Sequence, residues 1–312
     1  MNSKDLLLLI SKLYYEEGII QDKIASELGM TRLRVIELLK RAKAEGIVRF
    51  QIINPNDYDD LQRQLAEKYG LHKTIIVPSF PEYATMQRKI LGKAASTYLN
   101  ETLKSRDVLG IGWGLSVLET ADCLQDYEKR SITVVPLIGG GSEMFRQYEV
   151  NMLTRRFSQV FGGAFYPLYT LALADSKTIR DAIITDSKIN RVIEFWNHMD
   201  AILIGIGAMT VRFPDLFDKH LEAEPIDFAS LRIVGDILCR FYDIEGREVR
   251  LDVSDRMIGA DFENLKKAGQ VIGVAGGVTK YNAILGAVRG RLINVLITDY
   301  DVARKLLDQP DP

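Results

Sequence analysis

Apolar positions in the first fifty residues recur at helical spacing. Leu6, Leu9, Ile10 and Leu13 share one side of Lys4 to Tyr15, which predicts a first helix with those four facing a core. Ile24, Ala25 and Leu28 fall at i, i+1 and i+4 and predict a second. Gly29 can take positive φ where the chain turns sharply, and Thr31 suits the N-cap of a third helix. In that helix Val35, Leu38, Leu39 and Ala42 repeat at i, i+3, i+4 and i+7, and Gly46 marks the end. Two helices joined by a short glycine-containing turn have the layout of a helix-turn-helix. "GIVRFQIIN" then alternates, Ile47, Arg49 and Gln51 against Val48, Phe50 and Ile52, as a short wing strand would. Asn54 to Asp60 gathers Pro, Asn and Asp and reads as a linker. The expected division is a helix-turn-helix DNA-binding domain over 1–54 and a second domain over 55–312.

Past the linker, short continuous apolar runs alternate with amphipathic stretches. "TIIVPS" (74–79), "VLGIGW" (108–113), "ITVVPLIGGG" (132–141), "AFYPLYT" (164–170), "AILIGIGA" (201–208), "VIGVAGG" (271–277) and "INVLITD" (293–299) read as buried strands. Segments 84–104, 115–125, 149–161, 279–289 and 300–308 read as helices between them. Strand, helix, strand, repeated, predicts an α/β domain: a doubly wound, mainly parallel, Rossmann-like sheet with helices on both faces. Such a sheet is covered twice, which accounts for the near-continuous Val, Ile and Leu.

Composition narrows the classes. The 312 residues are 47% hydrophobic and 26% charged, ordinary for a globular chain, with a net charge of −2. A whole molecule of that charge does not coat nucleic acid, so any DNA contact must come from a local patch. Residues 1–50 hold nine Lys/Arg against seven Asp/Glu, leaving them at +2 and the rest at −4. Cys123 and Cys239 stand apart in apolar settings and read as small core residues in a reducing compartment. His72, His198 and His220 are widely separated, so no metal site is expected. The N-terminal apolar run is short and lacks a cleavage site, and no stretch approaches the ~18 apolar residues of a membrane span. No membrane association and a cytoplasmic location are the expectations.

The third helix is unusual on its outward side. Opposite its buried stripe lie Leu33, Arg34, Ile36, Glu37, Lys40 and Arg41. Aliphatic side chains contact thymine methyls, Arg pairs bidentately with guanine, and Glu accepts from cytosine. From Arg32 to Arg49 there are six Lys/Arg and two Asp/Glu, an excess suited to neutralising phosphates. The set expected on double-stranded operator DNA is Gln21, Thr31, Arg32, Leu33, Arg34, Glu37, Lys40 and Arg41.

Several apolar runs end in glycine: Gly110, Gly112 and Gly114 before Ser116; Gly139, Gly140 and Gly141; Gly205 and Gly207; Gly276 and Gly277 before Lys280. In open parallel sheets ligands sit beyond the carboxyl ends of the strands. Glycine lets main-chain N–H groups approach an anion, and a following helix N-terminus adds partial positive charge. Position 117, where a dinucleotide fingerprint needs its third glycine, is Val117, and no G-x-x-x-x-G-K-[ST] occurs, so no NAD, ATP or other cofactor is expected. Within "VGDILCRFYDIEGREV", Asp243, Glu245 and Gly246 suit a hairpin turn; Asp236 and Arg240 either pair with each other or reach a ligand.

Taken together, "TRLRVIELLKRAKAEGIV", "GIGWGLS", "PLIGGG", "VGDILCRFYDIEG", "SDRMIG" and "GVTKYNAILGAVRGRLINVLITD", in that order and spacing, resemble the SorC family of sugar-responsive bacterial transcription regulators over nearly the whole chain. The resemblance implies an effector domain similar to glucosamine-6-phosphate deaminase and ribose-5-phosphate isomerase that binds a phosphorylated sugar without turning it over. It also implies a homo-oligomer, dimer or tetramer, on paired operator half-sites. Carried across, the phosphate-type positions fall on Gly112, Gly114, Ser116, Gly139, Gly140 and Lys280, to which Gly141 and Arg240 are added as candidates. Two positions depart from the family's pattern. Ile36 and Glu37 stand where members often carry Ser-Arg, which moves the expected base contact to Arg32 and Arg34. Ile138 precedes the glycine run, so no lysine there can form an imine with a ring-opened sugar.

The expected function is therefore a DNA-binding regulator of a carbohydrate-utilisation operon, controlled by a phosphorylated sugar. The alternative is a sugar-phosphate isomerase or deaminase with an added helical module, for which Glu143 is the plausible base. A scaffold whose helices serve only oligomerisation is the third reading.

Overall fold

The computed structural model describes residues 3–49, 58–141, 149–209 and 229–310, and the chain divides into two compact units, 1–57 and 58–312. The first unit holds helices α1 (Ser3–Tyr15), α2 (Gln21–Glu27) and α3 (Arg32–Ala44). Their common core is Leu7, Ile10, Ile24, Ala25, Val35, Leu38, Leu39 and Ala42. The stripe on α1 thus runs through Leu7 and Ile10, with Leu6 and Leu13 at its edge and Leu9 only partly buried. A run of four leucines offers two neighbouring registers, and packing against α3 selects between them. Thr31 caps α3 by accepting the Arg34 N–H, while Gly29 and Gly46 both adopt positive φ at the helix ends. Ile47 and Val48 form a bend and Arg49 is irregular, so no strand begins here, and the N–H groups of Ile47 and Val48 both donate to the Ala42 carbonyl. The rest of the expected wing, and most of the linker, lie outside the described residues; Asp59 and Asp60 already belong to helix α4 (Asp59–Tyr69).

The second unit is built on a seven-stranded, wholly parallel sheet. Its strands are β1 (Lys73–Val77), β2 (Val108–Ile111), β3 (Ile132–Pro136), β4 (Gly163–Phe165), β5 (Ala201–Gly205), β10 (Gln270–Val274) and β11 (Val295–Asp299), in the order β1-β11-β10-β5-β2-β3-β4. Alternate residues feed opposite faces: Ala201 and Leu203 enter one core cluster, Ile202 and Ile204 the other. Val295 and Ile297 divide from Leu296 in the same way. That double burial is what continuous apolar strands require.

A second, antiparallel sheet of β6 (Gly207–Ala208), β7 (Gly235–Ile237), β8 (Arg240–Tyr242) and β9 (Glu248–Val249) follows β5. The expected turn at Asp243–Gly246 joins β8 to β9, with Gly246 at positive φ. The tighter β7–β8 turn places Leu238 and Cys239 both at positive φ, the type I′ requirement met without glycine. Sequence periodicity left 177–195 unassigned; it forms two short helices, Lys177–Thr185 and Ser187–Phe195, capped by Ser176 and Asp186.

Candidate functional site

The first candidate surface is the outward side of α3. Arg32, Leu33, Arg34, Glu37, Lys40 and Arg41 are all exposed, as is Thr31, and Gln21 at the start of α2 is half-buried. Leu33 is 74% exposed, a large aliphatic side chain with no packing role within this unit. Ile36 is partly covered, so it contributes less to this face than its helical angle suggests. Arg32 lies 3.7 Å from Asp22, Arg34 donates to Glu37 at 3.0 Å, and Arg41 pairs with Glu45. Such exposed pairs contribute about 0–1 kcal/mol. Separating these charges therefore costs little.

The second candidate is a cavity of about 470 Å³ at the carboxyl edge of the parallel sheet. It opens beyond the ends of β1, β11, β10, β5 and β2, where an open α/β sheet holds its ligand. Helix α6 (Leu115–Asp122), which follows α5 (Ala84–Thr102) and β2, begins at its wall, and Gly114, the N-cap at φ +108°, offers no side chain to satisfy the first-turn N–H groups. Those donors, with the partial charge of the helix end, face the cavity beside Ser116. On the far side the turn Gly276–Lys280 closes the wall. Asp299, 2% exposed, fixes that turn: its Oδ2 accepts the Gly277 N–H at 2.5 Å, while its Oδ1 accepts from Ser79 and caps the helix 300–307 through Val302 N–H.

Charged groups converge here. Lys280 donates Nζ to the Ile206 carbonyl at 2.7 Å, and burial pushes its pKa down, with Asp236 opposing and Arg88 adding to the effect. Asp236 accepts the Cys239 N–H at 3.2 Å; burial pushes its carboxyl up to about 6. Room for that carboxylate depends on Gly207, where a Cβ would lie 1.9 Å from Asp236 Oδ1. Phe80, Trp113, Leu115 and Leu238 supply apolar walls.

Of the eight effector positions expected from sequence, the structure gathers Gly114, Ser116 and Lys280 at the cavity. Gly112 is drawn into the sheet, its N–H donating to the Leu203 carbonyl. The run Gly139, Gly140, Gly141 lies elsewhere. There Gly139 N–H donates to Ile258, Gly140 N–H to Thr170, and Gly140 accepts from Ala172, so those amides are spent within the protein. A Cβ on Gly139 would meet the Leu171 main chain at 2.4 Å: the glycines serve a close backbone approach. Arg240 is likewise away from the cavity. It is buried, donates Nε to Ala260 and Nη2 to Gly259, and has Glu248 3.5 Å from Nη1. Nor does it pair with Asp236. Across the β7–β8 hairpin Asp236 faces Phe241 and Arg240 faces Ile237, adjacent rungs whose side chains leave opposite sides of the ribbon. Glu143 lies outside the described residues. Sequence reasoning missed Arg88 and Gln87 on the helix Ala84–Thr102, and Ser79 and Asp299 at strand ends. Only the strand-end pair carried a signal, a polar residue following an apolar run.

Among the described residues no cluster of His, Cys, Asp and Glu could hold a metal, and no helix is long and apolar enough to cross a membrane.

Residues 54–308 match the model of the family described as "Putative sugar-binding domain". The chain is 33% identical to the sorbitol operon regulator of Klebsiella pneumoniae, covering 98% of this chain and 99% of that one. It is 32% identical to the deoxyribonucleoside regulator of Bacillus subtilis (strain 168), with 96% of each covered. The crystal structure of the full-length sorbitol operon regulator SorC from Klebsiella pneumoniae matches with a TM-score of 0.75 at 31% identity, covering 97% of this chain and 99% of that one. These relatives are transcriptional regulators rather than enzymes, which sets aside the isomerase or deaminase alternative.

Proposed function

This chain belongs to the SorC family of sugar-responsive transcriptional regulators, and from that premise we propose that it governs a carbohydrate-utilisation operon through a phosphorylated sugar bound in the sheet-edge cavity. The observation that carries the anionic part of this reading is one juxtaposition: the uncapped N-terminus of α6 and the buried Lys280 line the same cavity. Unsatisfied first-turn N–H groups with an ammonium are what a phosphate group needs. Asp236 serves the hydroxyl-bearing end, where a carboxylate accepts from a polyol, and Trp113 and Phe80 cover its apolar face.

Operator contact falls to the 1–54 module, through Arg32 and Arg34 toward base edges and Lys40 and Arg41 toward phosphates. The effector domain, 55–312, assembles the chain into a homo-oligomer in the cytoplasm. Control follows from linkage: an effector that binds one subunit arrangement better shifts the population toward it, and with it the spacing of the reading helices.

A thermal-shift screen of phosphorylated sugars beside their unphosphorylated counterparts tests the reading, because a ligand that prefers the native state raises the melting temperature. Phosphorylated members are expected to stabilise selectively. Lys280→Ala should abolish effector-dependent change in operator binding while leaving operator affinity itself intact. A response confined to unphosphorylated sugars would replace the anionic effector with a neutral one.

A further inference from the structure

We propose that Arg88 is the second anion-binding cation of the cavity and that it sets a preference for a doubly charged phosphate; this rests on the phosphorylated-effector reading above. Arg88 sits on the helix Ala84–Thr102, whose buried side carries Leu91, Gly92, Ala95 and Leu99. Stepping back three residues from Leu91, or four from Gly92, continues that inner stripe to Arg88. A charged residue there is unexpected for a purely structural helix, and it lines the cavity along with Leu91.

Its hydrogen bonding is incomplete. Nη2 donates to Thr85 Oγ1 at 3.2 Å, but Nε is buried and has no hydrogen-bond partner among the described residues. A buried guanidinium donor without an acceptor is costly, and native proteins keep one chiefly where a further group completes it. No carboxylate lies within ion-pair distance of Arg88 among the described residues. Three carboxylates do line the cavity, and none of them pairs with Arg88. Asp299 is held by Gly277, Ser79 and Val302, Asp236 by the Cys239 N–H, and Asp301 stands in the first turn of a helix, where the helix end favours negative charge.

Arg88 is also held in place. A Cβ on Gly92 would lie 2.6 Å from the Glu119 main chain, so the two helices touch backbone to backbone one turn beyond Arg88. That contact fixes this part of the helix against α6, whose N-terminus opens on the same cavity. The charge of Arg88 reaches Lys280 and favours the neutral amine there, as expected of two cations facing one space. Like charges brought together in a partly buried space repel until an anion lies between them. A phosphate dianion offers three terminal oxygens: enough for the guanidinium, the ammonium and the first-turn amides together. A singly charged group neutralises only one of the two cations.

The test uses the full chain, inorganic phosphate as the probe, and titrations near pH 5.5 and pH 8, on either side of the conversion to the dianion. Burial raises the Asp236 carboxyl to about 6, inside this interval, and Lys280, Asp299 and Asp301 face the same space, so the quantity compared is the ratio of affinities at the two pH values. The wild type should bind phosphate more tightly at the higher pH. Arg88→Gln should weaken binding there by about tenfold or more, the scale of a lost charged hydrogen bond, and should flatten the ratio. Arg88→Lys, which keeps the charge and loses the fork, should recover part of both and serves as the readout if the glutamine variant folds poorly. Phosphate binding that both variants leave within twofold of wild type at both pH values would overturn the role of Arg88 alone. A wild-type chain unmoved by phosphate and by every phosphorylated sugar would remove the anion site, and this inference with it.

Discussion

Arg240 Nε donates to the Ala260 carbonyl at 3.0 Å, and the same guanidinium reaches Gly259 through Nη2 at 3.3 Å. This fork therefore fastens the hairpin β7–β8 to the segment 259–260, with Glu248 3.5 Å from Nη1. Arg240→Met should preserve length and lose the fork, leaving two carbonyls and a carboxylate without their donor. The expected cost is about 2–4 kcal/mol of stability, read from denaturant midpoints, with effector affinity within twofold of wild type. A large affinity loss in a stable variant would return Arg240 to the binding site.

Arg34 is the residue expected to read a base. Its ion pair with Glu37 is exposed on both sides, so displacing it takes little. Arg34→Ala should weaken specific operator binding by about 1–3 kcal/mol and relax preference at one base pair, measured by gel-shift titration on a set of single-base operator variants. Glu37→Gln, by contrast, should raise affinity for non-specific DNA at low salt, since it removes a carboxylate from the phosphate-facing side. Unchanged titrations for the alanine variant would move base reading to Arg32.

Asp236 makes the stability pH-dependent in a defined direction. Burial raises its carboxyl pKa from 3.8 to about 6, so the folded chain binds a proton there more readily than the unfolded chain. Its contribution to stability is then fully present below about pH 4 and is lost as pH rises through about 6. Asp236→Asn should remove this fall across pH 4–6 and raise the melting temperature at pH 7. It should weaken sugar binding at the same time, because the amide accepts fewer hydroxyl donors. A wild-type profile identical to that of the asparagine variant would show that Asp236 does not titrate in this interval.

The β7–β8 turn stores backbone strain. Leu238 and Cys239 have φ of +54° and +60°, a conformation that side chains with a Cβ adopt at a cost. Replacing the pair with Asn-Gly, the preferred type I′ dipeptide, relieves about 1 kcal/mol of that strain but deletes two buried side chains, so the free protein should lose about 2–4 kcal/mol of stability. Leu238 lines the cavity, so the double variant should also lose part of the effector's apolar contact. Thermal melts with and without ligand separate the two effects. An unchanged or higher melting point without ligand would place the strain of the turn above the packing of Leu238 and Cys239.

Much of the architecture was legible because periodicity is a local property. The stripe Val35, Leu38, Leu39, Ala42 and the runs ending at Gly205 and Asp299 carry their meaning within ten residues. Site membership is not local. Gly112, Gly139 and Gly140 look like anion-binding glycines in the chain, yet their amides are taken up by Leu203, Ile258 and Thr170, partners that lie 30 to 119 positions away. Arg88 was hidden for the opposite reason, since a helical residue at a stripe position reads as an edge charge until the cavity is seen. Asp236 was left between pairing with Arg240 and reaching a ligand, and only the hairpin register resolves that choice.

The carboxylate of Asp299 bonds at once to Ser79 after β1, to Gly277 after β10 and to Val302 after β11. Three crossovers that are remote in sequence thus share a single mechanical joint. Their protection against hydrogen–deuterium exchange should be correlated: the Gly277 and Val302 amides become labelled together, at a rate set by the opening of that joint. A cargo that tightens it would slow both at once.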